Sequence, residues 1–339
     1  MRGGLPSPKP RVDLGAGALY VGPPPRNALM TATPANGLGH RLIDSVSSRP
    51  YVLLVFTMLG WGGNAVAGRA AVGEVSPMVL TALRWAIVLG VLAIVCRRQI
   101  AAGWAGVRAQ WLAVLLMGAG GYTAFNALYF TAAHHTTAVN LSIIQGALPV
   151  FVLVGALILH RTPIRLGQAL GMIVTLVGIA VVASKGDIHA LARLRFNVGD
   201  IMMLGCCALY AGFTLALRGR PGMSGVAFFS GLAVAAFTTS LPLVALEAWT
   251  GGLQWPTAKG WMLLTYIAVL PTALAQMAFM RAVELIGPGR AGLFINLVPI
   301  FGALMAVVIL REPFGVHHAA ALALVLAGIL LAETSARRV

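Results

Sequence analysis

The sequence predicts an all-α membrane protein with ten transmembrane helices, arranged as two five-helix inverted repeats. Three observations support this fold class. Long apolar stretches fill nearly all of the chain after residue 50, charged residues are rare within them, and the last third of the chain repeats the middle at an offset of 150 residues. Repeats of this length in a helical membrane protein indicate two similar halves joined in one chain.

Composition identifies the bilayer as the solvent of this chain. Hydrophobic residues make up 59% of the 339 residues and charged residues only 10%, whereas a soluble domain carries about 25% charged residues. Each stretch is long enough to cross about 30 Å of hydrocarbon at about 1.5 Å per residue. The predicted spans are residues 52–72, 77–96, 111–131, 138–159, 165–184, 199–217, 224–245, 261–281, 289–310 and 316–334.

The net charge of +15 does not indicate a nucleic-acid partner, because Lys and Arg lie mostly at the ends of the apolar stretches. There they set membrane orientation and contact lipid head groups. If the N-terminus is cytoplasmic, 17 Lys and Arg residues lie on the cytoplasmic side and 5 on the other. This bias predicts that both termini lie in the cytoplasm. We expect an integral protein of the bacterial inner (plasma) membrane.

The internal repeat sets the domain organisation. An odd number of spans per half means that the two halves enter the membrane from opposite sides, which makes the repeat inverted. We expect a first repeat over residues 51–184 and a second over 199–334. The matching residues are clearest between Pro149, Phe151, Arg161, Pro163, Gly178 and Ile179 and their counterparts Pro299, Phe301, Arg311, Pro313, Gly328 and Ile329.

The first fifty residues differ from the rest of the chain. They are rich in Pro, Gly, Ser and Arg and lack a long apolar run, which predicts a disordered segment over residues 1–50. Translation from Met1 and from Met30 both remain open. Cys96, Cys206 and Cys207 lie in apolar segments and are interpreted as small core residues, so no metal and no cofactor is expected.

The chain resembles the drug/metabolite transporter superfamily, and within it the EamA-type ten-helix proteins. The resemblance rests on Gly60-Trp61-Gly62-Gly63-Asn64 in the first span, Ser76-Pro77 before the second and Leu83-Arg84-Trp85 within it. The paired fourth spans of the two repeats close on related triplets, Arg161-Thr162-Pro163 and Arg311-Glu312-Pro313. The first triplet has Thr where the family usually has Glu.

This resemblance implies a secondary transporter that exports small organic metabolites, such as amino acids or related compounds, by alternating access. A lipid-linked flippase and a facilitative, channel-like carrier are the alternatives. The chain contains no Walker A motif and no constellation of catalytic residues, so it is not expected to be an enzyme. The expected partners are a small-molecule substrate and membrane lipids, and a monomer and a homodimer are equally open.

Arg84 is the most informative polar residue in the predicted spans, because a charged group inside a membrane is costly. It lies about 10 Å deep by helix rise. One interpretation is contact with a substrate or a gate. The other is a structural role, with backbone carbonyls or Glu74 as the partner.

Aromatic residues with nearby polar groups are the next candidates for a substrate-binding site. Trp61 and Asn64 share one face of the first span, and Tyr210 is the repeat counterpart of Trp61. Such aromatics suit an organic substrate, although packing between helices is an equal alternative.

The third and eighth spans carry carboxamides at matching positions. Tyr122, Asn126 and Tyr129 share one face of the third span, and Gln276 is the counterpart of Asn126. Matching polar groups in both halves are typical of a midplane site.

The fourth and ninth spans carry further candidates. Gln145 and Asn296 precede Pro149 and Pro299, and each proline frees a carbonyl one turn earlier. We expect these prolines to act as gate hinges.

The acidic residues give little support for a proton relay. All of them fall at span ends or in loops, and Asp200 and Glu284 are the closest to being embedded. A facilitator fits equally well, and a neutral or anionic substrate is favoured over a dication.

Overall fold

The structure, a computed structural model, describes residues 48–187, 197–217 and 223–337. This part of the chain contains ten helices long and apolar enough to cross a membrane, which confirms the predicted fold class. The predicted disordered segment lies outside the described residues except for its last three. The helices are α1 Pro50–Ala70, α2 Pro77–Val95, α3 Trp111–His135, α4 Ala138–His160, α5 Leu166–Ala183, α6 Val198–Ala216, α7 Gly225–Trp249, α8 Ala258–Ile286, α9 Arg290–Leu310 and α10 Val316–Ser335.

The ends of the helices follow local sequence signals. Pro50 and Pro77 open α1 and α2, since proline at the first helical position loses no hydrogen bond. The Thr137 hydroxyl caps α4 by accepting from the Asn140 amide at 3.1 Å. At their other ends, α4 and α9 both stop at an arginine with positive φ, 51° at Arg161 and 55° at Arg311. The two repeats therefore end their fourth helices in the same way.

Four helices change their winding at equivalent places in the two repeats. A π-helical segment occupies Ala119–Ala124 of α3 and another occupies Ala268–Leu274 of α8. A 3₁₀ segment occupies Gln145–Ala147 of α4 and another occupies Leu293–Leu297 of α9, just before Pro149 and Pro299. The role of Pro149 and Pro299 as gate hinges stays a prediction. Nothing in the sequence indicated the π-helical segments, which often mark functional positions.

The repeats interlock rather than lying side by side. Each of α2, α4 and α5 packs against its own counterpart, α7, α9 and α10. In addition, α1 packs against α8 and α9, just as α6 packs against α3 and α4. This reciprocity is the contact pattern that a pseudo-two-fold axis between inverted repeats produces.

The α5–α10 pair makes the closest backbone approach. A Cβ at Gly171 would lie 2.4 Å from the carbonyl oxygen of Gly328, and Thr175 lies against the same glycine. Small residues permit such approach in membranes, where packing rather than hydrophobicity drives helix association. Any larger side chain at Gly171 must separate these helices.

A connecting helix that the predicted spans did not include runs over Arg97–Ala109, between α2 and α3. Its buried Val107 and half-buried Trp104 pack with Phe228 of α7. Arg97 and Arg98 are exposed. The segment is amphipathic and too polar to be recognised as a span, which is why a search for apolar stretches missed it.

Candidate functional site

Arg84 lies buried, 8% exposed, where three helices meet. Its Nε donates to Thr272 Oγ1 of α8 at 2.7 Å, and its Nη1 donates to Asn126 Oδ1 of α3 at 2.5 Å. The guanidinium carbon is 5.6 Å from the ring centroids of both Trp85 and Phe130, a distance at which cation–π attraction operates. Arg84 therefore links α2 to α3 of its own repeat and to α8 of the second repeat.

The suggestion that Glu74 or backbone carbonyls are the structural partners of Arg84 is wrong. Glu74 lies in the turn before α2 and binds the Thr257 hydroxyl and Lys259 Nζ, the latter at 3.0 Å. Glu74 therefore cannot reach Arg84, which lies more than one turn inside α2. The Thr257 hydrogen bond, followed by Lys259, lowers the pKa of the Glu74 carboxyl.

The π-helical segments position both partners of Arg84. Thr272 lies within the segment of α8, and its hydroxyl donates to the Ile267 carbonyl at 2.6 Å, five residues back. Asn126 follows the segment of α3, and its Nδ2 donates to the Tyr122 carbonyl at 2.6 Å. Each side chain thus satisfies a carbonyl of a widened turn and still has an oxygen for Arg84.

A set of aromatic rings in mutual contact begins at Trp85, beside the Arg84 guanidinium, and we call it the aromatic cluster. Trp85 and Tyr122 stack at 4.8 Å between ring centroids, and Phe125 contacts Tyr210 at 5.6 Å. Gly121 makes room for a ring of α6, since a Cβ there would lie 2.5 Å from Phe213. The cluster consists of Trp85, Tyr122, Phe125, Tyr129, Tyr210 and Phe213.

Two buried polar atoms next to the cluster have no hydrogen-bond partner among the described residues, Asn64 Oδ1 and Trp85 Nε1. The Asn64 side chain lies close to the Tyr129 hydroxyl. Unpartnered buried polar atoms are rare in native proteins and call for an explanation.

The structure brings together most, but not all, of the predicted substrate-binding residues. Asn64, Tyr122, Asn126, Tyr129 and Tyr210 join the Arg84 region through the contacts above. Sequence reasoning missed Thr272, Phe125, Phe213 and the ring of Trp85. Two sequence signals were available: each lies within four residues of a predicted residue, and Thr272 is the repeat counterpart of Tyr122.

Four predicted residues make no hydrogen bond or ring contact with Arg84 or the aromatic cluster within the described residues: Trp61, Asn296, Gln145 and Gln276. Trp61 Nε1 donates to the Pro271 carbonyl at 3.1 Å, and its ring lies 5.2 Å from that of Phe279. Asn296 Nδ2 donates to Glu333 Oε1 of α10 at 3.1 Å. Gln145 and Gln276 are half-buried.

At one end of the bundle, carboxylates of the second repeat cap helices of the first repeat. We call this end the clasped end. Glu312, after α9, accepts hydrogen bonds from the amides of Ala138 and Val139 at the start of α4, both at 2.9 Å. Glu247, near the end of α7, accepts from the Ser76 hydroxyl at 2.6 Å and the Met78 amide at 3.3 Å at the start of α2. A carboxylate is favoured at a helix N-terminus by the unpaired amides and by the helix dipole.

Asp200 makes a third contact at the clasped end. Its carboxylate, 2% exposed, accepts from Thr136 Oγ1 at 2.5 Å and from Asn140 Nδ2 at 3.3 Å. Asp200 is therefore embedded within the bundle, as its position suggested, whereas Glu284 is exposed. Glu247 lies within α7 and not beyond it, because that helix runs four residues past the predicted end at residue 245.

The fold and these sites define a class of protein, a ten-helix membrane transporter made of two interlocked repeats. The model of the EamA-like transporter family matches the chain twice, over residues 48–184 and 197–334. The chain therefore belongs to the EamA-like transporter family and is an integral membrane transporter.

Relatives of known sequence are consistent with this assignment. The uncharacterized transporter YyaM of Bacillus subtilis is 24% identical over 294 residues, which cover 84% of this chain and 93% of the relative. YetK, an uncharacterized transporter of the same organism, is 24% identical over 289 residues, covering 83% and 86%. A solved crystal structure superposes with a TM-score of 0.59 at 19% identity, over 85% of this chain and 98% of that one, which supports the fold.

Proposed function

We propose that the protein is a secondary transporter that exports small organic metabolites across the bacterial inner membrane by alternating access. The observation that carries this proposal is the buried Arg84 beside the aromatic cluster, at the interface between the two repeats. A charged residue inside the membrane is expensive, and in transporters such residues line substrate pathways. Aromatic faces beside it suit the apolar part of an organic solute.

Alternating access requires one end of the bundle to be closed while the other opens. The carboxylate contacts of Glu312, Glu247 and Asp200 close the clasped end in this conformation. By the distribution of Lys and Arg, that end faces away from the cytoplasm. The 3₁₀ segments before Pro149 and Pro299 supply places where α4 and α9 can bend.

One observation favours lipid-linked flipping as a second candidate. An apolar cavity of about 190 Å³ lies between α4, α5 and α6. Its wall includes Leu176 and Ile201, which are exposed on the outside of the bundle. Such a groove fits an acyl chain entering from the bilayer, whereas the Arg84 region is enclosed by protein.

Extracellular metabolomics tests the proposal. Cells that produce the protein are compared with cells that produce the Arg84→Ala, Asn126→Ala double variant, and with a control, Arg98→Ala, which alters an exposed arginine of the connecting helix. We expect at least one organic solute to accumulate outside with the unmodified protein and with the control, but not with the double variant. Accumulation of lipid-linked material alone favours flipping, and unchanged media in all cases contradict export.

A further inference from the structure

We propose that Arg84 binds a carboxylate of the transported solute, so that the substrates are small organic anions with an apolar portion. This inference rests on the proposed transport function and names its substrate class. Three properties of the site support it: the missing counter-charge, the N–H groups of the guanidinium that make no hydrogen bond, and the buried polar atoms Asn64 Oδ1 and Trp85 Nε1 without partners.

Arg84 has no carboxylate partner within the described part of the chain. The ion pairs found there, Lys259–Glu74 and Arg281–Glu284, both lie at helix ends. Asn126 and Thr272, the hydrogen-bond partners of Arg84, are neutral. A buried cation without an anion is unfavourable, so the site gains most from a ligand that brings a negative charge.

The hydrogen bonds of Arg84 leave part of its guanidinium available. Nε and one N–H of Nη1 are used, while Nη2 makes no hydrogen bond within residues 48–187, 197–217 or 223–337. Thr272 and Asn126 hold the plane of the group from two sides. One N–H of Nη1 and both of Nη2 then remain for a ligand, and one N–H from each of these nitrogens can bind the two oxygens of a carboxylate side by side.

The surroundings complete a site for an organic acid. Trp85 Nε1 is a buried donor without a partner, adjacent in sequence to Arg84, and Asn64 Oδ1 is a buried acceptor without one. A carboxylate accepts from the indole, and a hydroxyl or ammonium group next to that carboxylate donates to Asn64. The rings of Tyr122 and Phe125 cover apolar carbon.

The test uses full-length protein in liposomes without ATP and a matched set of probes. Phenyllactate carries the carboxylate, its primary amide is neutral with nearly the same shape, phenethylamine is cationic, and phenyl phosphate is a different anion. We expect transport of phenyllactate at a rate about tenfold or more above that of the amide, because the amide loses a charge-assisted pair. Transport of the amide or the amine in preference to phenyllactate overturns the inference and leaves the transport function standing, as does transport of phenyl phosphate alone. Absence of flux for every solute in a broad panel contradicts the transport function itself.

Variants of Arg84 separate substrate binding from a purely structural role. In Arg84→Gln, we expect the preference for phenyllactate over its amide to disappear. A structural role instead predicts that both rates fall equally and the preference survives. Arg84→Lys, which keeps the charge but loses the fork, is the second variant if Arg84→Gln does not fold, and we expect it to raise KM for phenyllactate more than it lowers kcat. Arg98→Gln, on the exposed connecting helix, is the control and should match the unmodified protein.

Discussion

The two ends of the helix bundle are held together by different chemistry, although the repeats make them related in structure. At the clasped end, Glu312 caps α4 of the other repeat. At the opposite end, the equivalent position is Thr162, and the residues equivalent to Ala138 and Val139 are Pro288 and Gly289. Because proline has no amide hydrogen, this end lacks both the acid and one of its donors.

Asp200 is a second position at which the clasped end has a carboxylate and the equivalent position at the opposite end has none. The offset that relates Trp61 to Tyr210 makes Tyr51 the counterpart of Asp200. Tyr51 contacts Phe294 through its ring at 5.9 Å, whereas Asp200 accepts hydrogen bonds from neighbouring side chains. The opposite end is thus held by ring contact, by close helix packing and by hydrogen bonds that include Asn296 to Glu333 and Arg165 Nη1 to the Ser335 carbonyl at 3.2 Å. We infer that these differences at helix ends make an otherwise symmetric fold favour closure at the clasped end.

The largest expected effect concerns the packing of the opposite end. Gly171→Ala places a Cβ within 2.4 Å of the Gly328 carbonyl, so α5 and α10 must separate. Overpacking of this kind costs about 1–3 kcal/mol of stability, measured as a lower thermal midpoint in detergent. Gly90→Ala is the matched control, because a Cβ there meets no atom within 4 Å. Equal midpoints for the two variants contradict this account of the packing.

The second prediction concerns removal of the Glu312 contact at the clasped end. Glu312→Ala leaves the first amides of α4 unpaired, and loss of a helix cap costs about 0.5–2 kcal/mol. Since about 1.4 kcal/mol is a factor of ten in an equilibrium, we expect a several-fold increase in the population open at the clasped end. The measurement is the labelling rate of a cysteine introduced at Val139, which is buried at the start of α4.

The native cysteines should give little background in this labelling experiment. All three are buried, and burial raises the pKa of the Cys96 thiol, which slows its reaction at neutral pH. Glu284→Ala is the control, because it removes an exposed carboxylate from the opposite end and such surface pairs contribute little. A labelling rate that rises equally in both variants would refute a specific role for Glu312.

The third prediction attempts to build a clasp at the opposite end. Thr162→Glu alone should change little, because Pro288 offers no amide hydrogen. Combined with Pro288→Ala, it should stabilise closure by about 0.5–1.5 kcal/mol beyond the sum of the single changes. A double-mutant cycle on the thermal midpoint measures this coupling, and an additive result contradicts the proposed reason for the asymmetry.

The smallest expected effect is the pH dependence of the Glu74 contacts. The pKa of Glu74 is lowered from 4.5 by its hydrogen bonds. Its contribution to stability is therefore complete above about pH 4.5 and is lost as the pH falls through the lowered value. The difference in thermal midpoint between the unmodified protein and Glu74→Gln should shrink below pH 4.5, and a difference that grows there has the wrong sign.

The helices were predictable because the bilayer requires apolar spans, and the repeat was predictable because its two copies still match at an offset of 150 residues. A span needs about twenty apolar residues, and this requirement leaves its pattern in the sequence. The partners of Arg84 were not predictable, because Asn126 and Thr272 lie 42 and 188 residues away along the chain. The π-helical segments also depend on contacts between helices. The role of Glu312 could not be predicted without knowing which helix starts beside it. The difference between Glu312 and its repeat counterpart Thr162 was already visible in the sequence.

The most direct test of the asymmetry is a pair of spin-label distances in lipid nanodiscs. One pair, at His135 and Val316, reports on the clasped end, and the other, at His160 and Leu285, reports on the opposite end; all four residues are exposed. We predict a single narrow distance at the clasped end and a broad distribution at the opposite end. In Glu312→Ala, the clasped end should broaden toward longer distances. Equally narrow distributions at both ends, unchanged by Glu312→Ala, would contradict the account.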